Sequence, residues 1–253
     1  MKLIPCAFLL GLLLAGVAGA APLKIYGMES GPISFLNGDK PDGYAVELAR
    51  AIQQRLGRHD PIEIVPWARA NTLAVVGPGV MLLSIVRTQE RARSLHFVGP
   101  IFNTRVTALA LKGMPAEWQR KNIDLHQLRA GARRGSIFVS LPRAQGYRVL
   151  DETNTSETAA KMLLNRRFEL WFDGEELYPE ALRLAGYRQS DVEVAFRLDQ
   201  VEVCFAFSSG TPQATIDAWE RTLREMKRDG SFLKIHHKWL PPHQLPADAA
   251  LAH

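Results

Sequence analysis

From residue 23 onward the sequence alternates short apolar runs with amphipathic stretches of helical period. That alternation confines the chain to α/β folds, in which a largely parallel sheet is covered by helices through right-handed crossovers. Residues 23–26 read as a strand, and 27–43 as a loop of turn formers that includes Gly31 with Pro32 and Asn37 with Gly38. From Tyr44 the apolar Leu48, Ile52 and Leu56 recur every fourth position, opposite Glu47, Arg50, Gln53 and Arg55. Gly57 ends this predicted helix, and Ile62 and Ile64 form the next strand, with Trp67 at its exit. Residues 81–85 are a further buried strand, after which Thr88 is placed to cap a short helix through Gln89, Glu90, Arg91 and Ala92.

The second half repeats the architecture. Residues 106–111 read as a strand, 125–128 as a helical turn, and 131–134 as a strand running into Gly135 and Ser136, where a helix starts. Residues 157–164 form a helix with Ala159, Ala160, Leu163 and Leu164 on one side, and 168–172 the strand behind it. After a strand at 201–207, Thr211 and Pro212 provide an N-cap and a first-turn proline for a helix marked by Ile216, Trp219, Leu223 and Met226. Residues 241–253, rich in Pro and Ala, read as a flexible C-terminal tail. The sequence has no internal repeat.

The first twenty residues stand apart. Met1 and Lys2, the apolar run 3–17 and the small residues Ala18, Gly19 and Ala20 have the layout of a cleavable signal peptide. The chain from Ala21 would keep 233 residues and a charge of +4, against +5 for the whole, because Lys2 alone is lost. Cys6 would go with the leader, leaving Cys204 as the one thiol and no internal disulfide. A protein soluble and exported to the periplasm is expected, since no second apolar run is long enough to span a bilayer.

The 31 Lys and Arg against 26 Asp and Glu include no basic run interleaved with aromatics, which argues against nucleic acid as partner. Enzyme motifs are missing as well. His236 and His237 are adjacent rather than spaced for a metal, Ser136 has no GxSxG around it, and no phosphate-cradling GxxxxGK occurs. No catalytic residue, metal ligand or cofactor is therefore assigned.

Three segments carry a more specific message. They are GPISFLNGDKPDGYAVELARAIQQRLG at 31–57, SIVRTQERARSLHF at 84–97 with its Thr-x-Glu-Arg, and MKRDGSFLKIHHKWL at 226–240. In that order they resemble the periplasmic solute-binding proteins of family 3, the receptors of polar amino-acid ABC transporters. PWARA at 66–70 and FVGPI at 97–101 further resemble a subgroup whose ligands are generally unassigned. The resemblance implies a periplasmic-binding-protein-like α/β fold of type II, two α/β lobes joined by two hinge crossings. The crossings would fall near 107–112 and 202–208, making lobe 1 residues 23–109 plus 205–240 and lobe 2 residues 110–204.

It also implies a ligand set between the lobes. Arg91, the arginine of Thr-x-Glu-Arg, would grip a carboxylate through its planar fork. Thr88 would stand beside it or serve only as a cap, and Ser84 would offer a hydroxyl or backbone group. Arg87 would meet a second acidic group or pair with Glu90. From lobe 2, Gly135 and Ser136 resemble the turn whose donors close on the same carboxylate, at a helix start that favours anions. Ile137 and Phe138 would wall the pocket or pack in the core.

For an ammonium the family uses an aspartate after the strand that here reads FELWFD. Asp173 falls one position short, with Gly174 in the family's place, and Glu29 could supply the charge instead. Phe35, with Ser30 and Ile33, stands where the family has an aromatic lid, and Trp67 and Arg69 would line the cleft. The implied protein is a monomeric, non-enzymatic receptor. It would capture an amino acid or organic acid and deliver it to an ABC transporter permease. The alternatives are a ligand-sensing module for a membrane signalling partner and an enzyme on the same fold, such as a dehydratase.

Overall fold

The computed structural model describes residues 22–250, so the segment expected to be a signal peptide, with Cys6, lies outside the described residues. In chain order the first half holds β1 (Lys24–Gly27), a hairpin of β2 (Phe35–Asn37) and β3 (Lys40–Asp42), α1 (Tyr44–Arg55), β4 (Ile62–Ile64), α2 (Trp67–Val76) and β5 (Val80–Val86). β6 (Leu95–Leu111) leads into α3 (Met114–Arg120), β7 (Arg129–Arg133), α4 (Ile137–Ala144), β8 (Arg148–Thr153), α5 (Ser156–Leu164), β9 (Leu170–Gly174) and α6 (Tyr178–Leu184). β10 (Val192–Ser208) returns to α7 (Gln213–Arg228), α8 (Ser231–Trp239) and α9 (Ala247–Ala250).

The strands of the main sheet follow the order β4-β1-β5-β10-β6-β9-β7-β8. β4, β1 and β5 are parallel, as are β9, β7 and β8, while β10 and β6 run antiparallel between the two groups. The result is two parallel lobes joined by one pair of long strands. β6 and β10 pair along nearly their whole length, and at residues 103–105 of β6 and 200–202 of β10 neither β5 nor β9 runs alongside, although the Glu202 and Arg105 carbonyls accept from the Arg87 and Glu175 N–H groups. Three register shifts interrupt that ladder. Only the ends of these strands were expected, because Gly99-Pro100 and the charged Arg105, Arg197 and Asp199 mask the strand pattern between them.

The helices follow their apolar spacing. On α1 the residues Ala45, Leu48, Ala49 and Ile52 are fully buried, and on α7 Ile216, Trp219, Leu223 and Met226 face the core. Gly43 precedes α1 with φ +114, and a Cβ there would lie 2.7 Å from the Ile33 carbonyl oxygen, so the turn requires glycine. Several expectations are corrected. The loop 27–43 contains the β2–β3 hairpin, Trp67 opens α2 rather than ending a strand, and α3 and α6 are additional. Pro212 itself is the N-cap of α7, and Thr211 meets the Ser208 hydroxyl at 3.1 Å. Thr88 caps a 3-10 turn, Arg91–Arg93, by accepting from the Arg91 N–H at 3.2 Å; no α-helix forms over 88–92.

The expected loose tail is docked as far as the structure describes it. Pro242–Gln244 form a 3-10 turn, Gln244 and Ala249 are buried, and Asp248 of α9 pairs with the buried Lys227 ammonium at 2.6 Å. Lys227 also donates to the Pro100 carbonyl at 2.8 Å, which explains how its charge is held inside. Cys204 is a buried free thiol, which burial pushes up to about 11.

Candidate functional site

The carboxyl ends of the parallel strands of both lobes face each other, the place where ligands bind in sheets of this kind. Between them lies a cavity of about 60 Å³, room for several water molecules or one small solute. Lobe 1 contributes Ser30, Trp67, Ser84 and Arg91, and lobe 2 contributes Arg133, Ser136, Phe138 and Glu176. Thr104 on the connecting strand closes the floor.

Arg91 follows the end of β5 and is held by its own turn, with Nη1 donating to the Val86 carbonyl at 3.1 Å. Its guanidinium lies over the Trp67 ring, 5.5 Å from the centroid, and Nη2 reaches across the cleft to the Gly135 carbonyl at 3.4 Å. Trp67 Nε1 donates to the same oxygen at 3.3 Å. Burial lowers the Arg91 pKa, Glu90 opposes that, and the charge of Arg133 adds to it. Gly135 has φ +66, and a Cβ there would sit 3.2 Å from the Trp67 nitrogen, so this turn also requires glycine.

Arg133 ends β7 and crosses in the opposite direction, its Nη1 donating to Ser30 Oγ at 3.0 Å. Its guanidinium lies over Phe138, and its Nε is buried with no partner. Burial lowers the Arg133 pKa, partly countered by Asp173 and Glu176. Ser136 Oγ donates to the Arg133 carbonyl at 2.5 Å, so the hydroxyl fixes this turn rather than capping α4. The first N–H groups of α4, at Ile137 and Phe138, belong to residues on the cavity wall, and such groups have no intrahelical acceptor.

Glu176 is the acid of the cavity. Its Oε2 accepts from Thr104 Oγ1 and from Gln244 Nε2, the latter at 3.1 Å. Burial raises its carboxyl to about 7, against a lowering by the Thr104 hydrogen bond. Gln244 also donates to Glu175 Oε1 at 3.3 Å, so the C-terminal segment of lobe 1 touches both acids of lobe 2.

Of the residues singled out in the sequence, Arg91, Ser84, Trp67, Ser136, Ser30, Ile33, Ile137 and Phe138 therefore line one cavity, with Gly135 at its rim. The others fall elsewhere. Thr88 is engaged as a cap, and Arg87 leaves the cavity to lie over Phe97, 5.7 Å from the ring centroid, its own N–H bonded to the Glu202 carbonyl. Asp173 is fully buried in β9 opposite Thr107, with Oδ1 accepting from the Gly174 N–H at 2.8 Å. Burial raises its carboxyl and Arg133 pulls it back. Glu29 and Phe35 line a separate groove of about 840 Å³ between the β2–β3 hairpin and α6. The hairpin carries Phe35 away from the cleft onto Trp239, and Glu29 turns outward between the inward Met28 and Ser30. Arg69 is exposed on α2.

Arg133 and Glu176 were not singled out in the sequence. Both follow a rule that could have found them, a charged residue at or just past the carboxyl end of a buried strand.

Two lobes, a pair of connecting strands and a polar cavity lined from both sides define a type II binding-protein fold of the periplasmic kind. The sequence matches the bacterial extracellular solute-binding proteins, family 3, over residues 25–242, and the chain belongs to that family. Among solved structures it is similar to a histidine kinase sensor domain resembling periplasmic binding proteins, at 20% identity, with 88% of this chain and 99% of that one covered and a TM-score of 0.77. A periplasmic His/Glu/Gln/Arg/opine family-binding protein from Silicibacter pomeroyi, in complex with lysine, matches at 17% identity, 88% and 99% coverage and a TM-score of 0.73. An ancestral arginine-binding protein bound to arginine matches at 19% identity, 87% and 98% coverage and a TM-score of 0.71. At these identities the likeness establishes the fold. No curated protein matches the sequence. Among the described residues no helix is long and apolar enough to cross a membrane.

Proposed function

We propose that the chain is a periplasmic receptor that captures a small carboxylate-bearing, amino-acid-like solute between its lobes and delivers it to an ABC transporter permease. The observation that carries this reading is Arg91. Its fork faces the cavity and meets a carbonyl of the opposite lobe, Gly135, where a ligand carboxylate would take over the bond. Ser84 and the start of α4 complete the anion side, and Glu176, rather than Asp173 or Glu29, faces the ammonium of an amino acid.

The lobes would hinge where neither β5 nor β9 flanks the long strands, at 103–105 and 200–202, slightly earlier than the crossings expected from the sequence. Binding closes the clamp to the extent that the solute prefers the closed form. The test is calorimetry on Arg91→Ala with the L-amino acid that most raises the melting temperature of the wild type. A loss of about a hundredfold in affinity is expected. Unchanged affinity would remove Arg91 from the site.

The likeness to a kinase sensor domain favours a second reading, in which the same clamp docks on a membrane signalling protein. Crosslinking to membranes with and without solute separates the two, since a permease and a kinase are distinguishable in mass. Catalysis is not part of the proposal. Ser136 Oγ is bonded to a backbone carbonyl rather than to a base, and the bound solute should be recovered unaltered by mass spectrometry.

A further inference from the structure

Two guanidinium groups enter the cavity, one from each lobe. Arg91 enters it from lobe 1 and Arg133 from lobe 2, near enough for the charge of one to weigh on the other. Among the described residues neither guanidinium has a carboxylate within ion-pair distance, whereas the buried Lys227 is paired with Asp248 at 2.6 Å. Arg133 is the less satisfied of the two. One of its nitrogens reaches the Ser30 hydroxyl, and its Nε, buried at the cavity, has no acceptor. Asp173 and Glu176 act on its charge only from beyond ion-pair distance, Asp173 Oδ1 being bonded to the Gly174 N–H and Glu176 Oε2 to Thr104 and Gln244.

A buried cation is tolerated when it is paired. A solute with one carboxylate on Arg91 leaves Arg133 in a closed cleft with Asp173 and Glu176 acting on it only at longer range and no acceptor on its Nε, and a solute with a cationic side chain adds a third positive charge. A solute with two carboxylates pairs both. Ile33, Phe102 and Phe138 provide apolar walls for a short carbon chain between them.

We propose that Arg133 is a specificity-determining residue and that the cavity takes a short solute bearing two carboxylates, one on Arg91 and one on Arg133. This rests on the solute-binding reading above. The shared chemistry fits an acidic amino acid, whose ammonium would face Glu176, and equally a dicarboxylate without an amine.

The test is calorimetry of the full chain with L-glutamate, L-aspartate, succinate and glutarate against L-glutamine, L-lysine and L-arginine, on the wild type and on Arg133→Gln. The wild type should bind at least one diacid about tenfold or more tightly than any of the other three. Arg133→Gln should cost that diacid at least about tenfold more affinity than it costs L-glutamine. Preference among the diacids for those with or without the amine identifies the source. Equal or tighter binding of lysine, arginine or glutamine by the wild type overturns the proposal and leaves the receptor reading standing. An equal loss for all probes in the variant overturns the role of Arg133. Binding of none of the probes overturns both readings. The wild-type ranking needs no variant, so a poorly folding Arg133→Gln does not remove the test.

Discussion

Glu176 couples the cavity to pH. Its folded-state carboxyl titrates near 7 because burial disfavours the charged form, against an ordinary value of 4.5. The carboxyls of Asp173 and Glu175 add to the rise, while the hydroxyl of Thr104 opposes it. The folded protein thus binds this proton more tightly than the unfolded chain does. That contribution to stability is complete below pH 4.5 and is lost as pH rises through 7. Glu176→Gln cannot ionise, so urea denaturation should show it gaining on the wild type across this window, by on the order of 3 kcal/mol at most. Parallel pH profiles for the two proteins would contradict the assignment. His236 works in the opposite sense, since burial lowers it from 6.5 to about 4 and its contribution is lost as pH falls through that interval. At this scale the sequence shows some of the site and hides the rest for a simple reason. Arg91, Ser84 and Ser136 sit in motifs of fixed spacing, whereas Arg133 and Glu176 each belong to a doublet of like charges. Arg134 is exposed beside Glu152 and Glu175 meets His243, while their neighbours enter the cavity. Nothing in a pair of identical charges says which one points inward.

Among the elements, the C-terminal segment 241–250 and strand β7 carry the clearest consequences. The segment is fixed to lobe 1 by Lys227–Asp248 and reaches Glu175 and Glu176 of lobe 2 through Gln244. Asp248→Asn removes the one negative charge paired with the buried Lys227 ammonium, leaving it neutral oxygens and the Phe232 ring, and should lower thermal stability by about 1–3 kcal/mol, an intermediate value because Asp248 is half exposed. An unchanged melting temperature would show the pair to be dispensable. In β7, a Cβ on Gly131 would lie 2.2 Å from the Phe168 ring, so Gly131→Ala should destabilise lobe 2 by about 1–3 kcal/mol or more, read by thermal unfolding. Wild-type stability of that variant would mean that Phe168 moves freely. Helices with an apolar stripe, α1 and α7, were legible because their period is set by the core they face. The docked tail was not, because Pro and Ala pack against lobe 1 through shape and through an ion pair to Lys227, and neither leaves a periodic signature.

At the scale of the whole molecule the bonds across the mouth of the cleft are those of Arg91 and Trp67 to the Gly135 carbonyl and of Arg133 to Ser30, while Gln244 and His243 of the C-terminal segment join Glu175 and Glu176 beside the connecting strands. The alternation of strands and helices was sufficient to read the α/β class. The pairing of β6 with β10 depends on contacts between residues about a hundred positions apart, for which no local pattern exists. Opening the clamp must break the three bonds of Arg91, Trp67 and Arg133 across the cleft. Gly135→Ala strains the turn and crowds Trp67, so it should shift the free protein toward a larger radius of gyration in small-angle scattering, and an unchanged profile would argue against that. The position of Trp67 has an optical consequence. Trp118, Trp171 and Trp219 are buried inside the lobes and Trp239 packs on Phe35 of its own lobe, while the indole of Trp67 has its N–H bonded across the cleft. Fluorescence from this one side chain should move to longer wavelength when the lobes part and back when they close, and Trp67→Phe should abolish that part of the shift, giving the protein a built-in gauge of its own closure.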